Sequence, residues 1–145
     1  MKPTASIHRR SICYGLCAAS LLAGCGRKAD PEQQLRSTLA SMQQAYKGGH
    51  ADDFMAHVSE DFTSDDGSLR RADVRRLLVL AALRNRDALI VADIGEVRID
   101  GTRATVALRV YTAGGEGGLL QRPLDLKTAW RRDGNDWKVY NASAQ

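Results

Sequence analysis

From Ile90 onward, apolar residues recur at every second position, and each run of alternation ends in a turn signal. Ile90, Ala92 and Ile94 share one phase; Val97 and Ile99 continue it after a slip of one residue at Gly95. Ala104, Val106, Leu108 and Val110 form the next run, then Leu124, Leu126, Thr128 and Trp130, then Trp137, Val139 and Asn141. A period of two belongs to strands with one face buried. Asp100-Gly101 is a tight-hairpin signal, "GGEGG" at 114–118 a flexible hairpin loop and "RDGND" a third turn. Short connections of this kind join antiparallel neighbours, so the C-terminal half is expected to be a four-strand antiparallel meander. The slip at Gly95 predicts a β-bulge that curves the sheet.

The residues before it follow a helical period. Asp30 is a suitable N-cap, Pro31 fits the first helical position and Gln33 can close a capping box. Leu35, Leu39, Met42 and Tyr46 then fall on one face, and Gly48-Gly49 ends the helix. A second helix is expected over Ala51–Ser59, with Phe54 and Val58 on one side, followed by a brief strand near Phe62 and a turn at "SDDGS". A third helix is expected over Leu69–Asn85, capped by Ser68. It carries Val74, Leu77, Leu78 and Ala81 on one face and Ala72, Leu80 and Leu83 on another, as a helix held between two elements would. Helices followed by hairpin-linked strands make the fold class α+β.

The N-terminus has a different character. Lys2, His8, Arg9 and Arg10 precede an apolar run of 12 residues, Ile12 to Ala23. As a helix that run reaches about 18 Å, short of the roughly 30 Å hydrocarbon core of a bilayer. The layout is that of an export signal. It ends in Leu22-Ala23-Gly24-Cys25, which resembles the lipobox of bacterial lipoproteins. The resemblance implies a signal peptide over 1–24, a diacylglycerol thioether on Cys25 and a short tether over 25–30. It also implies a folded domain over 31–145 and a membrane partner reached through lipidated Cys25. Gly26, where an Asp would favour inner-membrane retention, points to a periplasm-facing outer-membrane location. Cys13 and Cys17 fall in the signal, so the mature chain is expected to hold no disulfide and no cysteine metal site.

The net charge of +4 belongs largely to this segment. Lys2, Arg9 and Arg10 are three of the 21 basic residues and no acid precedes residue 25, so the remainder carries 18 bases against 17 acids. A nucleic-acid partner is therefore not expected.

Three stretches carry a second resemblance: "AYKGGHADDFMAHVSEDF" (45–62), "VRIDGTRATVALRV" (97–110) and "TAWRRDGNDWKVYNAS" (128–143). Together they resemble the helix-Gly-helix opening, central hairpin and paired-tryptophan ending of the nuclear transport factor 2-like superfamily. That superfamily includes ketosteroid isomerase, polyketide cyclases and many envelope proteins. The resemblance implies a cone: three N-terminal helices packed on a curved antiparallel sheet of four main strands, often with a pocket at the open end. It also implies possible homodimerisation through the outer face of the sheet.

Isomerase chemistry in such a cone needs a carboxylate base and donors for an oxyanion. On the inward phase of the strands the polar residues are Arg122, Thr128, Asn141 and Ser143, with no carboxylate; Asp93, Asp125, Lys127 and Arg131 take the solvent phase. Asp61, just before Phe62, is the one weak catalytic candidate, with Tyr46 or Asn141 as donor. Tyr46, Phe54, Phe62, Thr128, Trp137 and Asn141 are the expected pocket residues. His50 and His57 lack the spacing of a metal site, "SDDGS" lacks that of a calcium loop, and "GGEGG" is not followed by a P-loop lysine, so no metal or cofactor is expected. Arg70, Arg71, Arg75, Arg76, Arg84 and Arg86 crowd the third helix, either as a solvated face or as a stripe for anionic headgroups.

The expectation is a lipid-anchored envelope protein, non-catalytic, binding a small apolar ligand or an envelope protein. The alternatives are a cofactor-free isomerase, cyclase or dehydratase of the ketosteroid isomerase type, and a structural dimerisation module.

Overall fold

The computed structural model describes residues 30–84, 89–113 and 123–145. The signal segment, Cys25, Arg86, the "GGEGG" loop and Arg122 lie outside the described residues. Three helices and five strands follow in the order α1 (Pro31–Gly48), α2 (Ala51–Met55), β1 (Val58–Ser64), α3 (Arg71–Arg84), β2 (Leu89–Asp100), β3 (Arg103–Ala113), β4 (Leu124–Asp133) and β5 (Asp136–Ala144). The strands form one sheet in the order β1-β5-β4-β3-β2.

The meander from β2 to β5 is antiparallel, as the alternation requires. The expected bulge is present: β2–β3 pairing shifts between Ile94 and Val97, around Gly95. A Cβ at Gly95 would lie 3.2 Å from the Ala107 carbonyl oxygen, so the close approach of β3 is what selects glycine there. The bend lets Ile94 and Val97 both pack against the core.

α1 is bounded as its caps dictate. The Asp30 side chain accepts from the Glu32 N–H at 3.2 Å, and Gly49 adopts φ 71°, a left-handed conformation that costs glycine little. Its N–H reaches the Tyr46 carbonyl at 3.1 Å, and the N–H of His50 reaches that of Ala45 at 2.8 Å.

Three expectations need correction. The second helix stops at Met55 instead of Ser59, and the brief strand near Phe62 is the seven-residue β1. The Val58–Phe62 spacing of four suits one face of a helix and one face of a strand alike. The tie is broken by β5, because the Val139 N–H reaches the His57 carbonyl at 3.0 Å and β1 pairs with β5 in parallel. The sheet therefore has five strands, four antiparallel and one parallel at its edge. Finally, Ser68 does not cap α3. Its N–H and hydroxyl both donate to Asp66 at 3.0 and 2.8 Å, while the Asp73 carboxylate reaches back to the Arg70 N–H at 3.0 Å.

Leu35, Met42, Met55, Val58, Phe62, Val106, Trp130, Trp137 and Val139 are buried between the helices and the inner face of the sheet. α3 is held less tightly: no residue from Arg71 to Leu83 is fully buried, and only Val74 and Leu78 pack against this core. Its other apolar face, instead of meeting a further described element, leaves Val79 and Leu83 exposed.

Candidate functional site

The inner face of the sheet and the three helices leave a cavity of about 450 Å³. α1 contributes Leu39, Met42, Gln43 and Tyr46, α2 contributes Phe54, and α3 contributes Val74, Leu77 and Leu78. Val58 and Phe62 of β1 close one side. The floor is Ala92, Leu108, Val110, Leu126, Thr128, Trp130, Val139 and Ala142. Volumes of this size hold small organic ligands.

Among the described residues, no lining residue carries a charge, and only Gln43, Tyr46 and Thr128 are polar. Thr128 is already committed. Its hydroxyl donates to the Val106 carbonyl at 3.1 Å and accepts from the Trp130 indole N–H at 2.8 Å. This pair of bonds satisfies two groups that would otherwise be costly to bury beside the cavity. Tyr46 is half-buried, and that burial raises the pKa of its phenol, which therefore stays a neutral donor at physiological pH. Gln43 sits three residues before it on α1, on a neighbouring part of the same face.

Of the expected pocket residues, the structure brings Tyr46, Phe54, Phe62 and Thr128 together around this cavity. Trp137 and Asn141 are elsewhere. Trp137 is fully buried, with the Arg132 guanidinium 5.4 Å over its ring, and Arg132 in turn hydrogen-bonds Gln34 near the start of α1. Asn141 is displaced by a second bulge that the sequence did not announce. β4 pairs Ala129 with Asn141 but Trp130 with Val139, leaving Tyr140 as the extra residue. Inward phase thus passes from Val139 to Ala142, and Asn141 turns to the outer side, where its amide donates to the Thr63 carbonyl at 3.1 Å. Ser143 follows it outward and donates to the Lys127 carbonyl at 3.4 Å. Gln43 and Ala142 are the wall residues that no sequence pattern marked: Gln43 has no apolar signal, and Ala142 is out of phase with Val139 but for the bulge.

Asp61 faces away from the cavity. Arg131 grips its carboxylate with two hydrogen bonds, Nη1 to Oδ2 at 2.9 Å and Nη2 to Oδ1 at 2.5 Å, and the Ser59 hydroxyl donates to Oδ1 at 2.6 Å. The Asp61 side chain is 61% exposed. Bonds from Arg131 first, then from Ser59, pull its pKa down to about 2. A general base working near neutrality needs a shift in the opposite direction and access to the substrate. Asp61 is thereby corrected from catalytic candidate to half of a surface ion pair, with Tyr140 under the same guanidinium at 5.6 Å. The remaining outer-face charges follow the expected solvent phase, as in the Arg109–Asp125 pair at 2.6 Å.

The arginines of α3 are mostly engaged locally. Arg71 bonds the Val58 and Met55 carbonyls and pairs with Glu60 at 3.2 Å, Arg75 pairs with Asp52 at 2.6 Å, and Arg76 with Asp73 at 3.3 Å. Among the described residues no cluster of three or more His, Cys, Asp or Glu is placed to hold a metal ion. No helix among them is long and apolar enough to cross a membrane.

No protein-family model matches the chain, and no curated protein matches it in sequence. Solved structures do match it in shape. An NTF2-like protein with a cystatin-like fold from Novosphingobium aromaticivorans superposes with TM-score 0.64 at 16% identity, covering 78% of this chain and 79% of that one. An NTF-2 like protein of unknown function from Shewanella oneidensis gives 0.62 at 14% identity, covering 79% and 98%. A protein of unknown function with a cystatin-like fold from Nostoc punctiforme gives 0.63 at 10% identity, covering 78% and 88%. Likeness at such identities is a likeness of fold. The chain from Asp30 onward has the nuclear transport factor 2-like cone, three helices on a mostly antiparallel five-strand sheet.

Proposed function

We propose that this protein is a non-catalytic binder of a small apolar molecule, held by a lipid on Cys25 at the periplasmic face of the outer membrane. The observation that carries the binding half is the uncharged cavity of about 450 Å³. Its described walls offer hydrophobic burial and a neutral phenol, with no carboxylate, imidazole or amine among them that could move a proton. An apolar molecule burying about 250 Å² gains roughly 6 kcal/mol before association costs, so burial of that area supports only weak binding, and tighter binding needs a ligand that buries more. The anchoring half rests on the signal layout and the Leu22-Ala23-Gly24-Cys25 motif.

The test is titration with N-phenylnaphthylamine, a neutral apolar fluorophore. Saturable fluorescence enhancement is expected with the wild-type protein, and its loss with Ala142→Trp, which places a large side chain in the cavity wall. Unchanged circular dichroism of the variant would show that the sheet survives. Failure of the wild-type protein to bind the probe saturably would overturn the binding half.

A further inference from the structure

The cavity shares three wall residues, Tyr46, Phe54 and Leu78, with a hollow on the molecular surface. That hollow, of about 460 Å³, runs between the C-terminal end of α1 and the C-terminal half of α3. These three side chains therefore stand between the two spaces. Leu78 belongs to α3, in which no residue from Arg71 to Leu83 is fully buried, so this wall can give way at low cost.

The two spaces differ in charge. Among the described residues, the cavity has no charged lining residue, and the groove has one, Lys47, and no acid. Lys47 makes no ion pair within 4 Å among the described residues. Beside it, Leu83 is 73% exposed and Val79 43%, an apolar surface with nothing among the described residues to cover it.

We propose that the occupant is a single-chain anionic amphiphile, whose chain crosses the Tyr46–Phe54–Leu78 partition into the cavity while its anion rests against Lys47. This deepens the binding proposal above and rests on it. An ionised carboxylate or phosphate meets no opposite charge among the described residues of the cavity, and burying it without one would be strongly unfavourable. At Lys47 it stays hydrated and meets an opposite charge. The adjoining Val79 and Leu83 then cover the part of the chain that remains outside. A fatty carboxylate and a lysophospholipid share this chemistry.

Competition against N-phenylnaphthylamine on the full chain, with every lipid below its micellar concentration, tests the idea. Palmitate is expected to compete about fivefold better than the alcohol of equal chain length, the scale of one exposed ion pair. It should outcompete octanoate by roughly a hundredfold or more, because each additional methylene is buried. Lys47→Glu should weaken palmitate about fivefold and leave the probe unaffected. Leu83→Ser, on an exposed position, should weaken palmitate but not octanoate. Competition by lysophosphatidylglycerol without palmitate would keep the class and assign the anion to a phospholipid head; competition by palmitate alone would assign it to a free acid. If the probe binds but neither palmitate nor lysophosphatidylglycerol outcompetes the alcohol, or Lys47→Glu weakens neither of them, the amphiphile is overturned and the cavity stands. If the probe does not bind, both are overturned.

Discussion

At the scale of single residues, Asp61 shows why a carboxylate near a cavity is not thereby a base. Its neighbour in sequence, Phe62, lines the cavity, while Asp61 itself projects to the other side of β1 and meets Arg131. The alternation of a strand makes that outcome a matter of one residue. The ion pair has a consequence that can be measured. The folded pKa of Asp61, at about 2, is depressed below the ordinary aspartate value near 3.9. Protonation therefore favours the unfolded chain, so this group's contribution is fully present above about pH 4 and is lost as pH falls towards 2. Asp61→Asn should lower the urea midpoint slightly at pH 7, as suits an exposed pair, and that deficit should close as pH falls from about 4 to 2, which flattens the pH dependence there. Asp66, lowered to about 2 by Ser64 and Ser68, and Asp125, lowered by Arg109, titrate in the same acid region, so the slope should be reduced and not abolished. An unaltered slope in the Asp61→Asn protein would mean that the Arg131 grip is absent in solution.

At the scale of elements, what could be read from the sequence was whatever two signals marked at once. The β2 bulge had both a phase slip and Gly95 at the slip, and it is where the sequence placed it. The β5 bulge had neither. Val139, Tyr140 and Ala142 give apolar or amphipathic side chains in both phases, so the alternation could run straight on through Asn141. That single extra residue removed Asn141 and Ser143 from the interior and brought in Ala142. The same ambiguity affected β1, whose helical or extended state was settled by pairing with a strand about 80 residues later, beyond any local pattern. The four expected residues that meet around the cavity, Tyr46, Phe54, Phe62 and Thr128, lie on elements whose inward face was set by several apolar neighbours. Gly95 offers the test of the bulge as a structural device. Valine there must place its Cβ 3.2 Å from the Ala107 carbonyl oxygen and its γ-methyls against the same strand. Gly95→Val should destabilise the fold by about 1–3 kcal/mol, the usual cost of forced packing. Chemical denaturation checks this; a neutral substitution would show that β3 can move away freely.

At the scale of the molecule, the proposed attachment point at Cys25 precedes α1 in the chain, whereas the cavity is lined by α1 from Leu39 to its last turn. α1 begins one residue after Asp30 and runs 18 residues, about 27 Å at 1.5 Å per residue. Cys25 precedes its N-terminal end, whereas Tyr46 and Lys47, at the cavity and its groove, are in its last turn. Attachment at one end should therefore leave the other free to exchange ligand with the aqueous space. The four residues between Cys25 and Asp30 span at most about 18 Å even when extended, so a lipid on Cys25, as proposed, would hold the domain close to a membrane surface without requiring any face of the cone to touch it. The two halves of the proposed function are then separable by mutation. Cys25→Ser should abolish fatty-acid labelling and release the protein from membranes on fractionation. The released protein should bind N-phenylnaphthylamine with the wild-type dissociation constant, because no wall residue of the cavity lies before Leu39. Persistent labelling of Cys25→Ser would rule out the anchor. Loss of probe binding in the released, folded protein would mean that the cavity depends on the membrane-attached state, and that the cone is not an independent binding unit.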